Sequence, residues 1–368
     1  MIWVVLAIVV ALAFWNGAND NFKGVATIYG SGSASYRSAL AWATATTFAG
    51  SLLSFVLAAG LIRIFSGKGL VPEHLAASPN FLAAVALAAA LTVLVATRLG
   101  LPVSTTHALT GALVGAGLVG AGDAVDLGKL EKSFLVPLAV SPLAASALTA
   151  ALYPLAAFLR RAAGVTSETC VCVSEQWVPL ALADAPAGTL SLTRQLTLTR
   201  GTTACCQERY QGRLVGVSAQ AALDLAHFAS AGVVSFARGL NDTPKMVALI
   251  LAAKVAGSPV GIPLVGLAIA VGGVLGARRV AETMSHRVTT HLSPGQGFVA
   301  NLVAAGLVAA ASRYSMPVST THVTNGGLFG IGAVKRTARW RTIGTIMLAW
   351  VTTLPLGAAL GALAYLVL

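Results

Sequence analysis

The chain has 368 residues, of which 56% are hydrophobic and only 10% charged. Soluble domains carry about 25% charged residues, so this composition excludes an ordinary soluble fold. The formal net charge is +12, but the basic residues cluster at the ends of apolar segments and in one central loop. That distribution is typical of the cytoplasmic loops of membrane proteins, and we expect no nucleic acid partner.

Many apolar segments follow one another along the chain. Several approach or exceed the roughly 20 residues that a helix needs to cross a bilayer. We expect an all-α polytopic membrane protein with a first transmembrane repeat over 1–159, a cytoplasmic insert over 160–213 and a second repeat over 214–368. The predicted segments, five in each repeat, are 1–28, 38–62, 80–98, 102–121, 133–159, 215–253, 260–277, 298–312, 317–334 and 342–368.

Two polar motifs occur twice within this apolar sequence. PVSTTH occupies 102–107 and again, letter for letter, 317–322. Upstream of each copy lies a related motif, NGANDNFK at 16–23 and RGLNDTPK at 238–245. A polar signature repeated in the same order inside membrane-like helices is typical of a transporter built from an internal repeat.

The basic residues predict the orientation of the segments. By the positive-inside rule their loops face the cytoplasm. Five segments on either side of the central loop then place both termini outside, and the odd number predicts that the second repeat is inverted relative to the first. The basic residues are Arg160, Arg161, Arg194, Arg200, Arg209, Arg213, Arg278, Arg279, Arg287, Lys335, Arg336, Arg339 and Arg341.

The segments 80–98 and 102–121 allow two interpretations, because only a few residues join them. They are either two full crossings or a re-entrant helical hairpin with PVSTTH at its tip, and either choice leaves the parity unchanged. We favour the hairpin, because a tip near the midplane brings hydroxyl groups to the place where transporters bind substrates.

The first motif pair contains both carboxylates and lysines. A charged side chain at the centre of a bilayer costs about 2.5–3.5 kcal/mol on insertion scales. The i,i+3 spacing places each lysine near its aspartate, so the pairs either only hold helices together or bind a coupling cation, with amide oxygens and freed backbone carbonyls as further ligands. We favour the cation site and expect each helix to be interrupted at its motif, where Gly17, Gly239 and Pro244 lie. The cation-coupling candidates are Asn19, Asp20, Asn241 and Asp242, with Lys23 and Lys245 beside them.

The PVSTTH copies have the character of anion sites. Proline suits a helix start, and the hydroxyl residues then fall in the first turn, whose backbone N–H groups have no partner within the helix. Together with the positive end of the helix dipole these groups bind anions, although such hydroxyls also simply cap helices. Two identical copies favour the anion site. Its candidate residues are Ser104, Thr105, Thr106, Ser319, Thr320 and Thr321.

Four further side chains accompany the PVSTTH copies. His107 and His322 end them, and the residues suit either structural hydrogen bonds or proton coupling and substrate contact. Arg98 and Arg313 each lie four residues before the proline. They either raise the positive potential near an anion or extend to the membrane interface.

The insert differs from the rest of the chain. Its threonine-rich runs, 189–193 and 195–199, alternate with period 2 and predict one small β-hairpin or meander. Four cysteines in it suggest a weak metal site or redox-sensitive thiols, although C-x-C plus C-C is not the usual spacing of zinc ligands. These are Cys170, Cys172, Cys205 and Cys206.

The motifs NGANDNFKGVAT at 16–27, GLNDTPK at 239–245 and both PVSTTH copies resemble the inorganic phosphate transporter (PiT/Pho-4) family over nearly the whole chain. The resemblance implies an inverted-repeat fold with helical hairpins, symport of phosphate with Na⁺ or H⁺, and a homodimer. It also implies that the Ser/Thr triplets contact phosphate and that the Asn-Asp pairs serve the cation. Lys23 and Lys245 stand where many members have asparagine.

The sequence therefore predicts secondary active import of inorganic phosphate across the cell membrane, with Na⁺ or H⁺ as the coupling ion and no other cofactor. The alternatives are a sulfate permease of the same fold and a passive anion channel. The chain contains no Walker motif and no recognisable catalytic set, so we do not expect an enzyme.

Overall fold

The computed structural model describes residues 1–180, 191–205, 216–289 and 292–368. As the composition predicts, these are mainly helical. Seven helical stretches of the described residues are long and apolar enough to cross a membrane. They are Ile2–Asp20, Tyr36–Leu57, Pro79–Arg98, Leu127–Ala162, Ser258–Gly276, Pro294–Arg313 and Trp340–Val367.

The helices of the first half follow the predicted segments. A π-helical turn, Glu131–Leu135, joins the last two helices of this half. They are α1 (Ile2–Asp20), α2 (Ala26–Gly30), α3 (Tyr36–Leu57), α4 (Ala59–Phe65), α5 (Glu73–Ala76), α6 (Pro79–Arg98), α7 (Thr105–Ala121), α8 (Leu127–Leu130) and α9 (Val136–Ala162).

The second half has a corresponding series. It too contains a π-helical turn, Thr283–Arg287. Its helices are α10 (Ala219–Ala252), α11 (Ser258–Gly276), α12 (Arg278–Glu282), α13 (Pro294–Arg313), α14 (Thr320–Lys335) and α15 (Trp340–Val367).

The two halves interlock within one compact unit, formed by Met1–Tyr153 and His227–Leu368. Helix α1 packs against α6 of its own half and α11 of the other, and α15 packs against α6 and α7. Large apolar side chains such as Leu275, Leu348 and Val351 are more than half exposed on the outside, which suits contact with lipid tails.

Both PVSTTH copies lie at the tips of helical hairpins. Helices α6 and α7 pack together and are joined by residues 99–104, and α13 and α14 pack together and are joined by residues 314–319. The tip residues Ser104 and Ser319 are at most 1% exposed. A hairpin whose tip lies inside the protein fits the re-entrant interpretation rather than two crossings with an exposed connection.

Glycines allow the tip helices to approach their neighbours closely. A Cβ added at Gly115 would lie 1.9 Å from the carbonyl oxygen of Ala358, and one at Gly330 would lie 2.4 Å from that of Ser146. Only a residue without a side chain fits at such contacts. Because α7 thus packs on α15 and α14 on α9, the two tips are fixed by equivalent contacts.

The interruption predicted at both ND motifs occurs only in the first. Helix α1 ends at Asp20, and a turn separates it from α2. Helix α10 instead runs without a break from Ala219 to Ala252, with Pro244 inside it. The expected break is therefore wrong for the second copy, although proline has no N–H and leaves the carbonyl of Leu240 without its helical partner.

A second compact unit, Pro154–Ala226, spans the range of the predicted insert. Its described strands, β1 (Thr169–Leu180), β2 (Ser191–Thr202) and β3 (Gly216–Ser218), form an antiparallel sheet in the order β2-β1-β3. Thr169 pairs with Thr202, and Leu180 pairs with Ser191. Strands β1 and β2 form an antiparallel pair, and the described part of both threonine-rich runs lies in β2.

Candidate functional site

The two hairpin tips meet. The Thr106 hydroxyl donates to the carbonyl oxygen of Val318 at 3.2 Å, and the Thr321 hydroxyl donates to that of Val103 at 2.7 Å. Each motif thus bonds to the backbone of the other copy by the same residue at the same position. The two helix starts, each with a positive dipole end, are brought to one place.

The lysines of the ND motifs also cross between the copies. Lys23 donates to Asp20, to the Thr321 hydroxyl and, at 2.7 Å, to the carbonyl oxygen of Val103. The Nζ of Lys23, in the first copy, therefore contacts the hairpin tip of the second copy.

Lys245 makes the mirror set of contacts. It donates to Thr106 Oγ1 at 2.7 Å and Asp242 Oδ1 at 2.9 Å, and the Val318 carbonyl oxygen lies at 3.4 Å. The motif pairs therefore form a single site in which each copy completes the other.

One amide links both carboxylates. Asn16 Nδ2 lies 3.2 Å from Asp20 Oδ2, 3.4 Å from Asp242 Oδ2 and 2.9 Å from Thr105 Oγ1. The two aspartates, 222 residues apart in sequence, are therefore close enough to share one hydrogen-bond donor. A single ligand between them would interact with both.

Arg238 breaks the symmetry of the site, since it occupies in RGLND the position that Asn16 occupies in NGAND. It is 1% exposed. Its Nη1 is 3.9 Å from Asp242 Oδ2, and its Nη2 donates to Asn21 Oδ1 at 3.1 Å. Within the described residues, its Nε and Nη1 have no hydrogen-bond partner. A buried guanidinium with free donors suits an anionic ligand, because unpaired buried donors are costly.

The five buried charged side chains of the described residues all belong to this site. They are Asp20, Lys23, Arg238, Asp242 and Lys245, each at most 2% exposed. Three cationic groups against two carboxylates leave one net positive charge. The site can therefore offer donors to an anion while keeping oxygen ligands for a cation.

The two asparagines beside the aspartates differ. Asn19 donates to Thr97 Oγ1 and to the Leu101 carbonyl oxygen, both at 3.0 Å, and its Oδ1 accepts from the Val103 N–H. Its amide is thus fully used to attach α1 to the first tip. Asn241 Oδ1 has no hydrogen-bond partner in the part of the chain that the structure describes, and it can contact a ligand.

The serines of both motifs cap helices. Ser104 accepts from the His107 N–H, and Ser319 accepts from the His322 N–H, both at 3.2 Å. The helices therefore begin at Thr105 and Thr320, not at the proline three residues earlier. These hydroxyls are engaged in capping, whereas Thr106 and Thr321 form the cross-contacts between tips; Thr320 is buried at the start of α14.

The two histidines form a pair behind the tips. Their rings are 4.5 Å apart and perpendicular. His107 Nδ1 lies 3.1 Å from the Trp350 carbonyl oxygen and His322 Nδ1 lies 3.2 Å from that of Leu138. Since a carbonyl only accepts, each Nδ1 carries the proton, which leaves each Nε2 as an acceptor. His322 Nε2 has no partner.

Of the remaining candidates, the two arginines are exposed and the described cysteines belong to the second compact unit. Arg98 and Arg313 are exposed at the ends of α6 and α13, and the Arg98 guanidinium lies 5.7 Å from the ring of Trp15. Cys170 is buried with its Sγ 3.6 Å from that of Cys172, and Cys205 is exposed. Cys206 lies outside the described residues. Those residues contain no group of three or more potential metal ligands from His, Cys, Asp and Glu.

A family model matches residues 16–361 and describes the PHO4 phosphate transporter family. The chain belongs to this family. It is a multi-pass membrane transporter and not an enzyme, as the sequence predicts. The matched range includes all four motifs and therefore every charged side chain of the site.

Individual proteins agree with this assignment. The inorganic phosphate transporter 2-1 of Arabidopsis thaliana chloroplasts is 29% identical over 413 residues, which cover 94% of this chain and 68% of that protein. A Pyrococcus abyssi protein whose name describes a phosphate permease is 27% identical over 406 residues, covering 100% of this chain and 98% of its own.

A solved structure shares the fold. It is titled as the sodium-dependent phosphate transporter and matches with a TM-score of 0.75 at 20% identity, over 100% of this chain and 98% of that one. At this identity the likeness concerns the arrangement of the helices, which therefore agrees with the predicted fold class.

Sequence reasoning did not select Arg238 and Asn16 as site residues. A signal for Arg238 was present, because an ionisable residue inside a long apolar segment is by default a functional candidate. Asn16 had no such signal. Only the folded chain shows that its amide contacts both aspartates.

Proposed function

We propose that this chain imports inorganic phosphate by secondary active transport, in symport with Na⁺ or H⁺. The observation that carries the proposal is the convergence of both motif pairs on one buried site. There, hydroxyls, helix starts and an arginine with free donors lie beside two carboxylates. An anion site alone has no need of carboxylates, whereas a cation-coupled one does.

The phosphate-contacting groups in this proposal are the threonines of the triplets at 104–106 and 319–321, with the first-turn amides. Asp20 and Asp242 supply the carboxylates of the cation position. Because the charged groups are at most 2% exposed, the structure has a closed site. Phosphate reaches it when one repeat moves relative to the other and opens the site to one side at a time.

Sulfate is the alternative substrate of the same class, since it is also a tetrahedral anion. Phosphate at neutral pH keeps a proton and can donate a hydrogen bond, which sulfate cannot. The site contains two carboxylates that accept such a bond, so its chemistry favours phosphate. A passive anion channel is the alternative of a different class, and buried negative charge opposes it.

Orientation and assembly complete the proposal. In this proposal the insert over 160–213 lies in the cytoplasm and both termini lie outside, a topology that the basic loops support. The repeats over 1–159 and 214–368 then enter the membrane in opposite directions. A homodimer in the cell membrane is the assembly that the family resemblance implies.

The proposal is tested by uptake of radiolabelled anions into proteoliposomes. Phosphate and sulfate are each supplied with a Na⁺ gradient, a proton gradient or neither. We expect accumulation of phosphate driven by one of the gradients. Uptake of sulfate alone would overturn the substrate, and equilibration without dependence on any gradient would overturn symport.

Two variants test the site. Asp20→Asn and Asp242→Asn should abolish coupled uptake in protein that still elutes as a folded species. Asp123→Asn is the matched control, since Asp123 is exposed outside the site. Normal accumulation by both site variants would show that the aspartates only hold the lysines in place.

A further inference from the structure

The surroundings of the two lysine nitrogens are alike. Each Nζ contacts three oxygens of three kinds: a carboxylate, a backbone carbonyl and a threonine hydroxyl. For Lys23 these belong to Asp20, Val103 and Thr321. For Lys245 they belong to Asp242, Val318 and Thr106. In both, the carboxylate comes from the lysine's own ND motif and the hydroxyl from the opposite repeat.

Such a set of oxygens is the ligand chemistry of a small hard cation. Carboxylates, carbonyls and hydroxyls bind hard ions, and freed backbone carbonyls near hairpins and broken helices are where transporters hold Na⁺. An ammonium group has three N–H donors and no acceptor. Three oxygen acceptors therefore match one ammonium, and the nitrogen lies where the metal ion would otherwise be.

We propose that the ammonium groups of Lys23 and Lys245 are built-in substitutes for a coupling Na⁺, so that this chain binds and transports phosphate without sodium. The inference rests on the proposed function, because it concerns the ion dependence of that same site. Lys23 and Lys245 are then the residues that determine cation specificity.

The charge of the site supports this assignment. The buried groups carry one net positive charge before any ligand binds, because Lys23, Lys245 and Arg238 outnumber Asp20 and Asp242. One singly charged anion neutralises it. A sodium ion would add a second positive charge to a site whose oxygens already bond to nitrogen. The charge therefore matches dihydrogen phosphate without a further cation, whereas hydrogen phosphate would need one additional positive charge.

Proton coupling follows from this match without a separate proton site. Dihydrogen phosphate enters with its proton attached and, after release on the other side, loses it to water to give hydrogen phosphate. One proton thus moves with each phosphate. At fixed total phosphate, uptake falls as the external pH rises, because the singly charged form becomes scarcer.

The first experiment uses the unmodified chain and measures binding of radiolabelled phosphate to the purified protein. NaCl, KCl and choline chloride are compared at equal ionic strength. We expect dissociation constants that agree within about twofold, since no cation from solution is needed. Binding that requires Na⁺ would overturn the inference. An absence of phosphate binding in every salt would instead count against the proposed function.

The second experiment removes the ammonium group. Lys23→Ala and Lys245→Ala should weaken phosphate binding by about tenfold or more in choline chloride, the size expected for loss of a charged hydrogen-bonding group. NaCl should restore it, because the ion can occupy the freed space. Lys23→Met and Lys245→Met fill that space with an apolar chain and should not be restored.

Lys254→Asn is the matched control, since Lys254 is exposed beyond the end of α10 and has a positive φ of 56° that asparagine tolerates. Its phosphate binding should not change in any salt. Alanine variants that bind phosphate normally in choline chloride would contradict the proposal that the lysines replace sodium. Folded alanine variants whose phosphate binding is not restored by Na⁺ would contradict it too. If the two lysines had only a structural role, NaCl would not restore phosphate binding in the alanine variants while failing to restore it in the methionine variants.

Discussion

The two copies of the site have the same lysine contacts but differ at the first position of the ND motif. In the first copy that position is Asn16, whose amide reaches both aspartates. In the second it is Arg238, whose guanidinium keeps two nitrogens without hydrogen bonds. The repeat therefore builds a symmetric frame from Lys, Asp and Thr. The difference gives the frame its net charge and hence its attraction for an anion.

The largest expected difference between the copies concerns the aspartates. Asp242 bonds to Lys245, Asn241 and Asn16 and lies near Arg238. Among the described residues, the Asp20 carboxylate bonds only to the side chains of Lys23 and Asn16. Breaking a buried ion pair costs about 3–5 kcal/mol. Asp242→Asn, which leaves two cations without a carboxylate, should lower the melting temperature in detergent more than Asp20→Asn. Equal losses would mean that Arg238 gains little from Asp242.

The second prediction makes the copies alike. Arg238→Asn gives both ND motifs asparagine at their first position, and it removes the net positive charge of the site. Hydrogen bonds to charged groups contribute about 1.5–3 kcal/mol, so phosphate affinity should fall by about 10- to 100-fold. Phosphate binding measures this loss. Arg313→Asn, at an exposed helix end, should leave affinity unchanged; a similar loss in both variants would point to a general effect of charge.

The third prediction tests the symmetry of the tip contacts. Thr106→Val and Thr321→Val each remove a hydroxyl that bonds to a lysine and to the opposite backbone. Each should cost about 1–3 kcal/mol, the penalty of leaving buried groups unpaired, and the two melting curves should shift alike. Thr110→Val is the control on the same helix, because its buried hydroxyl has no partner. Unequal shifts would show that one tip contributes more than the other.

The smallest effects are expected at the helix caps. Ser104 and Ser319 cap α7 and α14 with the same 3.2 Å bond. Replacing a capping serine by alanine costs about 1 kcal/mol, so the melting temperatures of Ser104→Ala and Ser319→Ala should fall slightly and equally. Ser312→Ala removes a buried hydroxyl without a partner and should be close to neutral. Loss of phosphate affinity in either cap variant, with no loss of stability, would assign the serines to the substrate instead.

The sequence was most informative where the cause of structure is local. Apolar runs of membrane-spanning length predict helices, and the duplicated motifs identify the residues that meet in the site. The expected break in α10 at its ND motif is wrong, because Pro244 is accommodated inside a continuous helix that neighbouring helices support. Arg98 and Arg313 occupy equivalent places in the sequence of the two repeats. Those places alone did not predict that both side chains are exposed at helix ends.

By itself the sequence determined the membrane fold, the duplication, and the Asp, Lys and Thr chemistry of the site. Tertiary structure decided which copy each group serves. Lys23 bonds to Thr321, which is 298 residues away, rather than to a threonine of its own repeat. Arg238 and Asn16 gain their roles only where the two repeats meet. Hydropathy and helix capping act over a few neighbouring residues, whereas the pairing of buried charges depends on how distant segments pack.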